Sequence, residues 1–250
     1  CMVDTQPGTG NNSYPSDRRV DLIIDHHQYK ELTQACRWVD VRPDYGASAS
    51  ILFEYLQSQD VKIATKLATI LFYAIKSETE DLGRDWSKSD REAYMTLMPL
   101  CNNRILHEIV HPKASRIYFK YFNIGLKNAK IYGNTLIFTL YDIDHPEIVA
   151  EIADFLMRVE GIEIVVGVGH YQGEGVLSMR TSHLETHAGV LMQEIVSGLG
   201  TGGGHSMTAG GQVHLESTDR GTLDELESEL VRRLFKALGR DPVEQEPLVQ

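Results

Sequence analysis

No run of apolar residues in this 250-residue sequence is long enough to span a bilayer, and no charged segment followed by an apolar one opens it. A membrane span is therefore not expected, and no secretion signal is visible. Cysteine is scarce. Cys1, Cys36 and Cys101 show no CxxC spacing, which argues against a structural zinc site and suits a reducing, cytoplasmic compartment. Positive charge is also in deficit: 24 Lys and Arg face 35 Asp and Glu, a formal net charge of -11, with no basic stripe to compensate locally. Long-range attraction to DNA or RNA is thereby excluded as a source of affinity, so any nucleic-acid ligand should be short and held by local contacts. The chain also lacks a methionine start. Its opening, Cys1-Met2-Val3-Asp4, reads like the end of a strand, and the sequence is expected to be a fragment.

The 42% hydrophobic fraction is enough to build a core for one large domain or two ordinary ones. Asp21-Leu22-Ile23-Ile24-Asp25 reads as a buried strand with function at its C-terminal end, where parallel sheets place ligands. Residues 38–41 form a weaker strand candidate. Helical periodicity follows over 47–57 and 61–76, and a third helix, capped by Ser87 or Ser89, is expected to run to about Ile105 with a kink at Pro99. After Ala129 the pattern changes. Strands at 129–132 and 136–141 flank the hairpin signal Gly133-Asn134, a helix covers 146–159, and strands follow at 162–168 and 175–180. A helix at 187–196, a glycine run, a strand near 212–215, a helix at 223–238 and a disordered tail complete the chain. Two α/β lobes with a cleft between them are the expected architecture.

Four groups of residues carry chemical interest. Asp25-His26-His27 closes a strand; a strand-to-loop turn would let both imidazoles aim at one pocket, where neutral histidine suits a divalent metal and an adjacent carboxylate sets its tautomer. An exposed polar loop is the competing reading. Asp4 also ends an apolar strand, before Thr5-Gln6-Pro7-Gly8, where an acid is often only a turn former. Glu78, Glu80 and Asp81 follow an apolar helix; they form a solvated turn unless one of them converges with Asp4 and His26. Gly202-Gly203-Gly204-His205 is read as a ligand loop whose backbone N–H groups approach an anion closely, with Arg180 at a strand end as a phosphate fork for the same pocket.

Taken in order, "VDTQPGTGNNSYP", "DLIIDHH", "YGASASILFEYL", "AIKSETEDLGR", "LSMRTS" and "GTGGGHSMTAGG" resemble the DHH (RecJ-like) phosphoesterases over residues 1 to about 238. The resemblance implies a parallel-sheet DHH domain over 1–107, truncated at its N-terminus, then connecting helices at 108–128. A smaller α/β C-terminal substrate domain at 129–240 and a tail at 241–250 complete the expected division. It implies two Mn²⁺ ions, with Mg²⁺ or Co²⁺ as alternatives, and hydrolysis of phosphoesters in short oligonucleotides or nucleotides, of the nano-RNase or pAp phosphatase type. Asp4, His26 and Glu78 would then be metal ligands, with Asp25 supporting His26. His27 would act on the scissile phosphate, while Arg180, Gly202, Gly203, Gly204 and His205 would hold the substrate. Two departures stand out: the family's upstream His and two Asp ligands are absent, so this chain alone should bind metal poorly, and Glu78 replaces the usual Asp. A cyclic-dinucleotide phosphodiesterase, an exopolyphosphatase and a nucleotide-binding module without turnover remain open, as does a homo-oligomer.

Overall fold

A computed structural model describes the chain except for residues 10, 11, 13, 16, 184, 185, 205, 206, 216, 218, 242 and 250. The chain divides into two compact units, Cys1–Lys113 and Ala114–Gln250. No helix among the described residues is long and apolar enough to cross a membrane.

In the first unit, β1 (Met2–Val3), β2 (Leu22–Asp25) and β3 (Trp38–Val41) form a parallel sheet in that order. The short apolar run Leu22-Ile23-Ile24 takes the central position, and Met2, Val20 and Ile23 are buried together. Four helices follow: α1 (Ser48–Ser58), α2 (Thr65–Glu78), α3 (Lys88–Leu97) and α4 (Asn103–Val110). Phe53, Leu71, Phe72, Ile75 and Leu97 form the core shared by the first three. Ser87 is the N-cap of α3 and makes a capping box with Asp90.

The helix expected to continue through Pro99 does not. It stops at Leu97, a 3-10 turn takes Met98–Leu100, and α4 starts afresh behind the Asn102 side-chain cap. Proline has no N–H to donate into the preceding turn, and the Asn102 cap offers a new start three residues later.

The second unit is built on a seven-stranded sheet of order β10-β4-β5-β6-β7-β9-β8. Its strands are β4 (Lys130–Tyr132), β5 (Thr135–Asp142), β6 (Ile164–Tyr171), β7 (Glu174–Thr181), β8 (Gly200–Gly204), β9 (Thr208–His214) and β10 (Glu246–Pro247). Only β5 and β6 run parallel; every other pairing is antiparallel. Helices α5 (Arg116–Asn128) and α6 (Glu147–Leu156) cover one face; α7 (Ala188–Val196) and α8 (Arg220–Ala237) cover the other. Because both faces are covered, β5 is buried without a break from Thr135 to Leu140. Leu136, Phe138 and Leu140 join the first core and Ile137 the second, the period of two expected of a strand. In the β4–β5 hairpin Gly133 takes the left-handed position at φ +65°, as the Gly-Asn signal implies.

Three expectations need correction. Residues 116–128 are not a connector: α5 packs on β5 and α6 and belongs to the second unit, which is the larger of the two. The tail is not wholly disordered, since β10 pairs with β4, Leu248 donates its N–H to the Ala129 carbonyl, and the Tyr132 hydroxyl bonds Gln245 at 2.9 Å. The polar composition of the tail hid this because an edge strand needs only backbone groups to pair. The glycine run is not a loop; over Gly200–Gly204 it is the edge strand β8.

Candidate metal centre

The parallel register of β1 and β2 aligns Val3 with Ile24, and the Asp4 N–H bonds the Ile24 carbonyl. Asp4 and the Asp25-His26-His27 segment therefore emerge side by side at the C-terminal edge of the sheet. Atoms of Asp4, His26 and His27 lie within 4.8 Å of one another, a grouping that could hold a cation. Asp4 holds a left-handed backbone at φ +63°, unusual for a residue with a Cβ. Its carboxylate is half exposed and accepts a 2.8 Å hydrogen bond from Ser48 at the start of α1.

The two imidazoles are anchored by different groups. His26 Nδ1 lies 3.1 Å from the Tyr45 carbonyl, an acceptor, so this nitrogen carries the proton and Nε2 carries the lone pair. Nε2 is buried and has no hydrogen-bond partner among the described residues. It sits 3.4 Å from Asp4 Oδ1, close enough for an ion pair but not in hydrogen-bond geometry. Two acceptors facing each other at that distance call for a proton or a cation between them, and an orphaned buried acceptor otherwise costs about 1–3 kcal/mol. The donor set of imidazole and carboxylate suits a divalent first-row ion.

His27 Nδ1 is bonded instead to Asp25 Oδ1 at 2.7 Å. Its pKa is raised, chiefly by that hydrogen bond; burial opposes the shift, and the charges of Asp25, Asp4 and Glu78 add to it. Burial alone would push the Asp25 carboxyl up, but hydrogen bonds from His27 and Gln6 hold it below the ordinary value. Asp25 thus supports His27. The expectation that it backs the His26 ring is corrected: only the backbone N–H of His26 reaches it, at 2.8 Å. The reason is local, because the turn after β2 folds the second histidine, not the first, back over the strand end.

Asp25 is itself clamped by Gln6, and both are fully buried. Gln6 Nε2 donates to Asp25 Oδ2 at 2.7 Å and to the Gln28 carbonyl at 3.1 Å, while Oε1 accepts from the Lys30 N–H at 2.9 Å and the Thr33 hydroxyl at 2.8 Å. The Gln28 carbonyl can only accept and the Lys30 N–H can only donate, which fixes the orientation of the amide. Replacing Gln6 with Leu should strand several buried polar groups and cost about 3 kcal/mol or more. A urea midpoint equivalent to less than about 1 kcal/mol of loss would show that the amide is not a strut for Asp25.

The loop supplying the Tyr45 carbonyl is pinned twice. Arg42 bonds Asp40, the Tyr45 hydroxyl and Glu54, and buried Asp90 accepts from the Gly46 N–H at 2.7 Å and from Ser50 and Ser87. Gly46 is required there, since a Cβ would lie 2.5 Å from the Asp85 carbonyl. Nothing in the sequence pointed to Gln6, Tyr45, Ser48 or Asp90. The only signal for Gln6, Tyr45 and Ser48 was position within segments that carry the resemblance, and Asp90 lies outside them. Each acts through a partner 19 or more residues away.

Glu78, the last residue of α2, is exposed and outside the Asp4–His26–His27 group, although its charge bears on His27. The alternatives are engaged elsewhere: Glu80 pairs with Arg84 at 2.9 Å, and Asp81 with Lys76 and the Tyr94 hydroxyl. Glu80, Asp81 and Leu82 all have positive φ, which turns the chain away as α2 ends.

In the second unit, Arg180, Gly204, Ser178, Thr208 and Gly210 line one open groove of about 330 Å³. Arg180 is not a free fork there. Its guanidinium grips Asp154 of α6 through Nε and through Nη2 at 3.2 Å, and bonds Ser178 Oγ at 2.8 Å and the Met179 carbonyl at 3.0 Å. Gly202 and Gly203 lie on β8, paired with Gly211 and Gly210 of β9. The run is glycine for packing reasons: a Cβ on Gly202 would meet Met192 of α7 at 2.8 Å, and one on Gly189 of α7 would meet the Gly204 carbonyl at 2.5 Å. His205 lies outside the described residues.

Comparison with known proteins adds the following. Residues 132–233 match the DHHA1 domain. An uncharacterised protein of Methanocaldococcus jannaschii, MJ1633, is 33% identical over 226 residues, covering 88% of this chain and 46% of the relative. The chain thus spans about half the length of that curated relative. Among solved structures, an exopolyphosphatase-related protein from Bacteroides fragilis superposes with a TM-score of 0.68 at 15% identity, covering 89% of this chain and 66% of the other.

Proposed function

We propose that the chain, which matches the DHHA1 domain at residues 132–233, is part of a divalent-metal-dependent phosphoesterase of the DHH superfamily. Its proposed substrates are short oligonucleotides or nucleotides, as for a nano-RNase or a pAp phosphatase. The observation that carries this reading is the unpartnered, buried Nε2 of His26 facing the Asp4 carboxylate beside His27.

Asp4 and His26 would hold the ion, with Mn²⁺ the favoured candidate. When bound, the ion supplies Lewis acidity toward a phosphoryl oxygen. The protein's residues do the rest. The Tyr45 carbonyl keeps the His26 lone pair on Nε2, and Ser48 orients the Asp4 carboxylate. His27 has Nδ1 fixed on Asp25, and its raised pKa favours the protonated ring, whose positive charge suits a phosphate oxygen. In the second unit Arg180, already oriented by Asp154, and the glycine strand would offer an anionic group their N–H capacity in the groove that they line. The net charge of -11 favours a small, locally held substrate over long nucleic acid.

The test is product release by the full-length protein with Mn²⁺, from pAp, from dinucleotides and from polyphosphate in parallel. Turnover of pAp or dinucleotides that is lost in Asp4→Ala is the expected result. Polyphosphate as sole substrate would replace the nucleotide reading. Nucleotide binding without turnover of any of the three would favour a sensing module, a reading that the exposed position of Glu78 also suits.

A further inference from the structure

The last turn of helix α4 and its C-cap residue His111 carry residues that this function does not use: His107-Glu108-Ile109-Val110-His111. Histidines four apart on a helix stand one above the other on the same face. In this structure their ring centroids are 4.7 Å apart, with the planes inclined at 51°. Two imidazoles sharing one tetrahedral ion, each nitrogen at about 2.0–2.1 Å, bring their ring centres to roughly 5 Å. The pair is already spaced as a chelate. Both side chains are exposed, and the backbone between them is closed by a 2.9 Å hydrogen bond from the His111 N–H to the His107 carbonyl, so the helix itself holds the spacing.

The order H-E-x-x-H is also that of metalloprotease helices, where the glutamate serves as general base beside the ion. That reading fails on two counts. Glu108 is engaged with Arg104 at 3.2 Å, one turn back along the helix. Among the described residues, no third His, Cys, Asp or Glu completes a ligand group around the pair.

We propose that His107 and His111 form a two-imidazole surface site for a borderline divalent cation, Zn²⁺ above all. Two positions of the tetrahedron stay open to water or to a donor from another molecule. Imidazole ligands suit Zn²⁺, Cu²⁺ or Ni²⁺ better than Mg²⁺ or Mn²⁺, which favour oxygen. This site therefore differs in metal preference from the mixed carboxylate and imidazole group at Asp4, and it stands independently of the phosphoesterase reading.

The test is a Zn²⁺ titration of this chain followed by residue-resolved imidazole NMR, in the wild type, His107→Gln, His111→Gln and the double variant His26→Gln/His27→Gln. The His107 and His111 signals should move together with one dissociation constant, unchanged in the double variant. Either single glutamine should weaken Zn²⁺ binding at the remaining histidine by at least about 100-fold, the usual gain from a second tethered ligand. If His111 responds to Zn²⁺ identically in wild type and His107→Gln, or if the two follow different dissociation constants, there is no chelate. Absence of any response at either histidine overturns the proposal equally. Both side chains are exposed, so the glutamine variants should fold as the wild type does.

Discussion

His26→Ala is expected to deplete the Asp4–His26–His27 group of metal and to lower the activity of the full-length protein by at least about 100-fold, with excess Mn²⁺ restoring part of it. Removing the ring deletes a nitrogen that is buried, without a hydrogen-bond partner among the described residues, and 3.4 Å from the Asp4 carboxylate. Changes merely to the groups behind a ligand commonly cost about 10–100-fold in metal affinity or activity, and losing a ligand should cost more. His27→Ala should behave differently, although the two rings are only 4.3 Å apart. The Nδ1 of His27 is committed to Asp25, and its raised pKa suits proton donation. Its loss should slow turnover by about 100- to 10,000-fold, the range for a general acid or base, while metal content stays near that of the wild type. Metal analysis and activity against Mn²⁺ concentration for both variants decide the matter. Equal metal content with no Mn²⁺ rescue of His26→Ala would remove His26 from the ligand set, and metal loss in His27→Ala would make both histidines ligands.

The second large effect concerns the glycine strand. Gly204→Ala should lose about 3 kcal/mol or more of the stability of the second unit, whereas Gly203→Ala should stay within about 1 kcal/mol of the wild type. A Cβ on Gly204 would lie 2.2 Å from the Thr208 carbonyl and 2.5 Å from the Ala209 Cα, backbone atoms that cannot move without opening the β8–β9 pair; on Gly203 the nearest atom is 3.9 Å away. Denaturant midpoints of the two variants test this directly. The comparison also separates packing from ligand binding. If Gly203→Ala is stable yet raises KM in the full-length protein, the strand contacts substrate there; a Gly204→Ala as stable as Gly203→Ala would mean that the close approach of β9 is not real.

The glycine run shows where sequence reading stops. Five residues with so much glycine read as a loop, because isolated glycine weakens a strand and offers no side chain to pack. In the fold that absence is what α7 requires, since Met192 sits where a Cβ on Gly202 would be. The same limit applies to Glu78, which the resemblance implied as a ligand and the end of α2 leaves exposed. It applies also to Arg180, a fork by its strand-end position but already held by Asp154 from α6, 26 residues away. Helices and strands with a strong period were readable, as were the parallel sheet around Leu22–Asp25 and the hairpin at Gly133-Asn134, because each is decided by neighbours a few residues apart.

By itself, then, the sequence determined the two kinds of α/β unit and the apolar strands, which follow from local periodicity. The clustering of Asp4 with the histidines was legible only through the resemblance. Only the tertiary structure decided which imidazole Asp25 serves, that Gln6 and the Tyr45 carbonyl set the two ring orientations, and that β8 and β10 are strands. Hydrogen-bond partners are chosen by three-dimensional proximity among many residues of equal chemical fitness, and no pattern along the chain distinguishes the carbonyl or carboxylate that proximity selects.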